Sequence, residues 1–150
     1  GIVKGLILAI PVTAMALTSY LSGVWLSKHP QSCKAAILIG TIGATVTLLL
    51  VPLFTNIYLF MSILMLLGIS IGIVLPPVNT IITGATTSDQ RGVVTSLYGT
   101  VRFFGVAIGP PIFGIAQKYG IWAMFIGAAI ITALATVLAL LFITTPQQQE

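Results

Sequence analysis

The stretch AAILIGTIGATVTLLLVPLFTNIYLFMSILMLLGISIGIVLPPVNTIITGATTS, Ala35 to Ser88, contains no Asp, Glu, Lys, Arg or His. As one helix rising ~1.5 Å per residue it would be about 80 Å long, far beyond the ~30 Å hydrocarbon core of a bilayer. It must cross an apolar layer and return. Water is missing there as a hydrogen-bond partner, so every crossing satisfies its own backbone as a helix or closes into a barrel. The apolar residues run on continuously and do not form the alternating ~10-residue segments of a barrel, which selects helices.

The rest of the chain has the same character. Its 150 residues are 57% hydrophobic and 5% charged, with a mean hydropathy of +1.14, too little charge for a water-exposed surface. Five spans are expected, at Leu6 to Leu26, Ala35 to Phe54, Tyr58 to Ile82, Val93 to Gln117 and Ile121 to Ile143. The first apolar run is long for a signal peptide, and more spans follow it. The connections SKHPQSCK, TN, TGATTSDQRG and KYG are short, so consecutive helices are neighbours and no soluble domain is inserted. The chain opens on Gly1 without an initiator Met and closes on TTPQQQE, which reads as a piece cut at its N-terminus with a natural C-terminus.

A net charge of +4 could point to nucleic acid, but the basic residues are scattered and form no patch, which argues against that partner. They fit a topology instead. Lys28, His29, Lys34 and Arg91 fall on one side, Lys4 and Lys118 on the other, which puts loops 27–34 and 86–91 and the C-terminus in the cytoplasm. Cys33, the single cysteine, reads as a neutral loop residue in a reducing compartment. One His, one Cys and two acids do not assemble a base, a nucleophile and metal ligands, so no enzyme, metal site or cofactor is expected.

In the fourth span, Thr95, Tyr98, Arg102, Gly105 and Gly109 recur at steps of three and four and share a face; Val94, Leu97, Val101, Phe104 and Ile108 take the other. Arg102 lies roughly 15 Å along the span from Val93, near mid-membrane, where snorkelling is hardest and a charge costs at least ~2.5 kcal/mol. It either pairs with an acid outside these spans, faces a wet cavity, or is held structurally by backbone carbonyls. The first span has a small and polar side, Thr13, Ala16, Ser19, Tyr20, Ser22 and Gly23. The third carries Gly68 and Gly72 at small-xxx-small spacing, then Pro76, Pro77 and Asn79, where missing donors predict a kink. The fifth has Ala128, Thr132, Ala135, Thr136 and Ala139 on one side and no proline, as in a straight supporting helix.

These residues resemble a known family. PPVNTIITGATTSDQRGVVTSLYGTVRFFGVAIGPPIFG, Pro76 to Gly114, is similar to the tenth span, cytoplasmic connection and eleventh span of the twelve-span drug:proton antiporters of the major facilitator superfamily. Gly105-x-x-x-Gly109-Pro110-Pro111-x-x-Gly114 resembles their antiporter motif, departing from it at Phe113 where a glycine is usual. GVWLSKHPQSCK resembles a degraded cytoplasmic loop motif: Gly23 and Lys28 match, while Ser27 replaces its aspartate. A fit to spans two to six is weaker, because the third span lacks the expected arginine.

The resemblance implies an all-α polytopic membrane bundle, a partial C-terminal half-domain comprising spans eight to twelve, in a bacterial plasma membrane. Spans one, three and four would line a central cavity, with Tyr20, Asn79, Thr95, Tyr98 and Arg102 as cavity candidates. Gly68, Gly72, Pro76, Pro77, Gly105, Gly109, Pro110, Pro111 and Gly114 would serve helix packing and conformational change. The function implied is proton-coupled export of drugs or other small molecules by alternating access, with the bilayer, a small substrate, protons and the missing N-terminal half as partners. A nutrient symporter or exchanger and a non-transport membrane subunit are the rival readings. None of the five spans holds an acid to carry the proton, so that residue would lie in the missing part.

Overall fold

The computed structural model describes residues 2–84 and 89–143, without the side chains of residues 2–4 and 8. The Lys4 side chain, residues 85–88 of the third connection and the tail with Glu150 lie outside the described residues. Five α-helices make up the structure: α1 (Ile2–Lys28), α2 (Cys33–Leu50), α3 (Ile57–Gly84), α4 (Arg91–Gln117) and α5 (Ile121–Phe142). All five are long and apolar enough to cross a membrane.

The ends follow from local chemistry. The loop expected between the first two spans shrinks to His29 and a tight turn at Pro30–Ser32. Ser27 donates back to the Val24 carbonyl at 2.7 Å, and the His29 amide reaches the Leu26 carbonyl at 3.1 Å. These bonds carry the helical ladder to Lys28, whose cation suits a helix C-terminus. Proline can open a helical turn but cannot continue one, so Pro30 starts the next element. Cys33 is therefore no loop residue: it opens α2, and its buried side chain packs with Leu26 and Ala36 under Ile73 and Ile81. Helix α2 ends at Leu50, and Pro52 opens the tight turn Val51–Leu53 that carries the apolar segment on to Leu53. The Asn56 side chain then caps α3 by accepting from the Tyr58 amide at 3.0 Å. Between α4 and α5, Gly120 adopts φ 108°, a conformation only glycine takes without strain.

Prolines do not stop the long helices: α3 runs on through Pro76 and Pro77, and α4 through Pro110 and Pro111. In α3 the glycine spacing does what the sequence led us to expect. A Cβ on Gly68 would strike the Pro11 carbonyl oxygen of α1, and one on Gly72 would sit 2.6 Å from the Met15 carbonyl oxygen. The same helix meets α2 at Gly40 and Gly43, where an added Cβ would sit 2.7 Å from the Ser70 carbonyl and 2.8 Å from the Ser70 hydroxyl respectively. The Gly40 and Gly43 contacts were not foreseen, although Gly-x-x-Gly in the second span was the visible signal. Helix α3 is thus the centre of a three-helix unit, α1 parallel to it and α2 antiparallel, and α5 joins this unit through α2.

Helix α4 differs. None of its residues is buried, and Gly105, Gly109 and Gly114 have nothing within 4 Å of an added Cβ. The close approach expected at that motif is not made among the described residues, because α4 borders an open cavity there.

Gly72→Ala places a methyl against backbone that cannot step aside, an overpacking cost of about 1–3 kcal/mol. It should lower the melting temperature of the detergent-purified protein, whereas Gly92→Ala, with nothing within 4 Å, should leave it unchanged or slightly raised.

Candidate functional site: a polar groove between α1 and α3

Beyond the Gly72 crossing an open groove of about 500 Å³ lies along the two helices. Ser19, Tyr20, Gly23, Val24 and Ser27 line it from α1, Pro76 and Asn79 from α3. Gly23 brings the walls together: a Cβ there would lie 3.7 Å from the Pro76 Cβ. Asn79 is exposed and Tyr20 is 70% exposed, so the amide and phenol are free to meet a ligand or water. No charged side chain lines the groove. The chemistry on offer is uncharged hydrogen bonding beside an aromatic face, suited to holding a small molecule reversibly.

Two of the five cavity candidates from the sequence, Tyr20 and Asn79, meet here, joined by Pro76 and by Gly23, which lies within α1 and not in a loop. Lys28, the other loop-motif match, is the last residue of α1. Thr95, Tyr98 and Arg102 do not join them; they lie on α4, Thr95 and Arg102 exposed and Tyr98 half-buried. Among the described residues Arg102 makes no hydrogen bond or ion pair; Asp89, ahead of α4, is about 20 Å away by helical rise.

A larger opening of about 680 Å³ lies between α2, α3, α4 and α5 and is almost wholly apolar. Leu67 and Ile71 face Phe104, Gly105, Ile108 and Gly109 across it. This corrects the expected division of α4. Phe104 and Gly105, like Ile108 and Gly109, are only 100° apart around the helix, and the bundle-facing arc is centred between them. Behind this opening α5 lies against α2, where Thr45 donates to the Thr132 hydroxyl at 2.9 Å and Ala129 is buried. That supporting role was legible in the small residues of the fifth span. Among the described residues no group of His, Cys, Asp or Glu is arranged to hold a metal.

Five membrane-length helices packed through glycine crossings define a polytopic helical membrane protein. The family model of the Major Facilitator Superfamily matches residues 2–150, and the chain belongs to that superfamily. It is an integral membrane protein of a transporter superfamily, not of an enzyme family. Among curated proteins it is similar to the Bacillibactin exporter of Bacillus subtilis (strain 168), with 30% identity over 150 residues. The match covers 100% of this chain and 37% of that protein. No solved structure matches significantly.

Because the Cys33 side chain is packed inside the helix junction, a membrane-permeant maleimide should modify it only after unfolding in SDS. Ser27→Cys, in the open groove, should react in the folded state in a Cys33→Ala background. Mass spectrometry of the labelled protein distinguishes the two.

Proposed function

We propose that this chain forms spans eight to twelve of a twelve-span, proton-coupled exporter of small molecules, and that the α1–α3 groove is part of its substrate wall. The observation that carries the reading is the groove itself. It is the polar opening at a helix crossing whose upper part is sealed by backbone contact, and its walls are uncharged hydrogen-bonding and aromatic groups. Similarity to an exporter supports the direction of transport.

In this reading the two halves of the protein rock about a midplane site and expose it to each side in turn. Further spans of the same polypeptide cover the exposed side of α4, which has no buried residue of its own. Arg102 faces the central cavity or an acid of the other half, and there helps order proton and substrate binding. The membrane is the bacterial plasma membrane, with Lys28, Lys34 and Arg91 on the cytoplasmic side.

Everted membrane vesicles holding the full-length protein test this with ethidium as probe and an imposed proton gradient. Asn79→Leu and Tyr20→Ala should lower proton-driven ethidium accumulation about tenfold, the equivalent of one hydrogen bond of ~1.4 kcal/mol, at unchanged protein levels. Unaltered transport in both variants would contradict the assignment of the groove.

Arg102→Lys should retain part of the transport, and Arg102→Ala should bind ethidium but fail to couple its movement to the gradient. Full gradient-driven transport by a well-expressed Arg102→Ala protein would remove the functional role. Gly109→Leu should lower transport by filling the opening that α4 shares with α3 and α5, while Gly92→Leu at the start of α4, outside that opening, should be tolerated better.

A further inference from the structure

In an α-helix the carbonyl of Ile73 would accept from the amide of residue 77. That residue is Pro77, which has no amide hydrogen, and it is among the fully buried side chains of the protein. Ile73 is half-buried, and within an apolar layer, where water is not at hand, a vacated carbonyl must find a donor elsewhere. It has one: Ser22 of α1 donates its hydroxyl to the Ile73 carbonyl oxygen at 3.3 Å.

This use of a hydroxyl is unusual in the molecule. Thr13, Thr47, Ser62, Ser70, Thr80, Ser96 and other hydroxyls bond back to carbonyls of their own helices, three or four residues earlier. Ser22 reaches across to a different helix, to a carbonyl that proline has freed. Contacts on either side hold it in register: Gly72 beneath Met15 and Thr18, and Gly23 against Pro76. Asn79 follows Ile73 by six residues, about 9 Å further along the same helix.

We infer that Ser22 is a positioning residue: its hydroxyl replaces the missing Pro77 amide and holds the Asn79 end of α3 against α1. The importance of this for transport rests on the groove being the substrate wall; the hydrogen bond itself does not. Without the bond, the end of α3 beyond Pro77 loses a polar tie to α1, and the Asn79 amide no longer keeps a fixed place in the groove.

A double-mutant cycle on the intact protein in lipid tests this, because Pro77→Ala returns an amide to position 77. Spin labels at Leu59→Cys and Gly84→Cys in a Cys33→Ala background report the shape of α3 across the prolines, and the melting temperature reports stability. Ser22→Ala should lower the melting temperature by about 2–4 °C and broaden the label distance with Pro77 present, and should do neither in the Pro77→Ala background. Equal effects in both backgrounds, or none in either, would overturn the inference. If Pro77→Ala does not fold, the isosteric pair decides: Ser22→Thr should behave like the native protein and Ser22→Val like Ser22→Ala, and identical behaviour of the two would overturn it. Neither readout needs a transported substrate. A cycle that succeeds while the Asn79 and Tyr20 variants still carry ethidium normally would keep the hydrogen bond and remove the groove's role.

Discussion

Direct contact between helix backbones, where Gly68 and Gly72 of α3 lie against Pro11 and Met15 of α1, is the constraint on which the rest of this structure depends. Lipid tails are as apolar as leucine, so burying apolar side chains gives membrane helices little reason to associate. Close approach through small residues, and the dispersion and polar contacts it allows, supplies that reason. Gly40 and Gly43 repeat the device on the other side of α3, against α2. One helix is thereby clasped from two sides, and α5 rests on the outside of the clasp.

The polar groove is a consequence of where that clasp ends. At it α1 and α3 touch backbone to backbone; beyond it Gly23 still packs on Pro76, while Tyr20 and Asn79 stay exposed along the open groove. Prolines that would weaken a helix in water are tolerable here because neighbouring groups satisfy what they free, as Ser22 does for Ile73. Packing, vacated carbonyls and polar lining are one arrangement in a superfamily whose members move solutes across membranes.

Much of this was legible in the sequence. Apolar runs of membrane length, only the fourth interrupted by a mid-span charge at Arg102, point to five helices, since a bilayer leaves the backbone few other choices. The Gly68 and Gly72 spacing marked a surface of the third span for close packing, and the polar side of the first span suggested a cavity lining, of which Ser19, Tyr20 and Gly23 border the groove. Other features depend on which helices meet, and periodicity along one helix does not say that. Gly105 and Gly109 have the same spacing as Gly68 and Gly72 yet touch nothing, because spacing declares a surface and not its partner. Phe104 and Ile108, assigned to the opposite side of α4, share an opening with those glycines, because the inward arc is wider than a single stripe. Cys33 read as a loop residue because the polar letters around it suggested a long connection; the Ser27 hydroxyl bond to Val24 and the His29 amide bond to Leu26 shorten that connection, and the thiol is buried.

The central claim, that the α1–α3 groove is the watered wall of a transport path and the outer surface of α2 faces lipid, is tested most directly by site-specific thiol accessibility. The full-length protein would carry a single cysteine at Ser19 or Asn79, or at the exposed Ile39 of α2, and be treated in membranes with a water-soluble methanethiosulfonate, with and without ethidium. The account predicts rapid modification at Ser19→Cys and Asn79→Cys, slowed by ethidium, and almost none at Ile39→Cys. Rapid modification at Ile39→Cys with unreactive groove cysteines would contradict it.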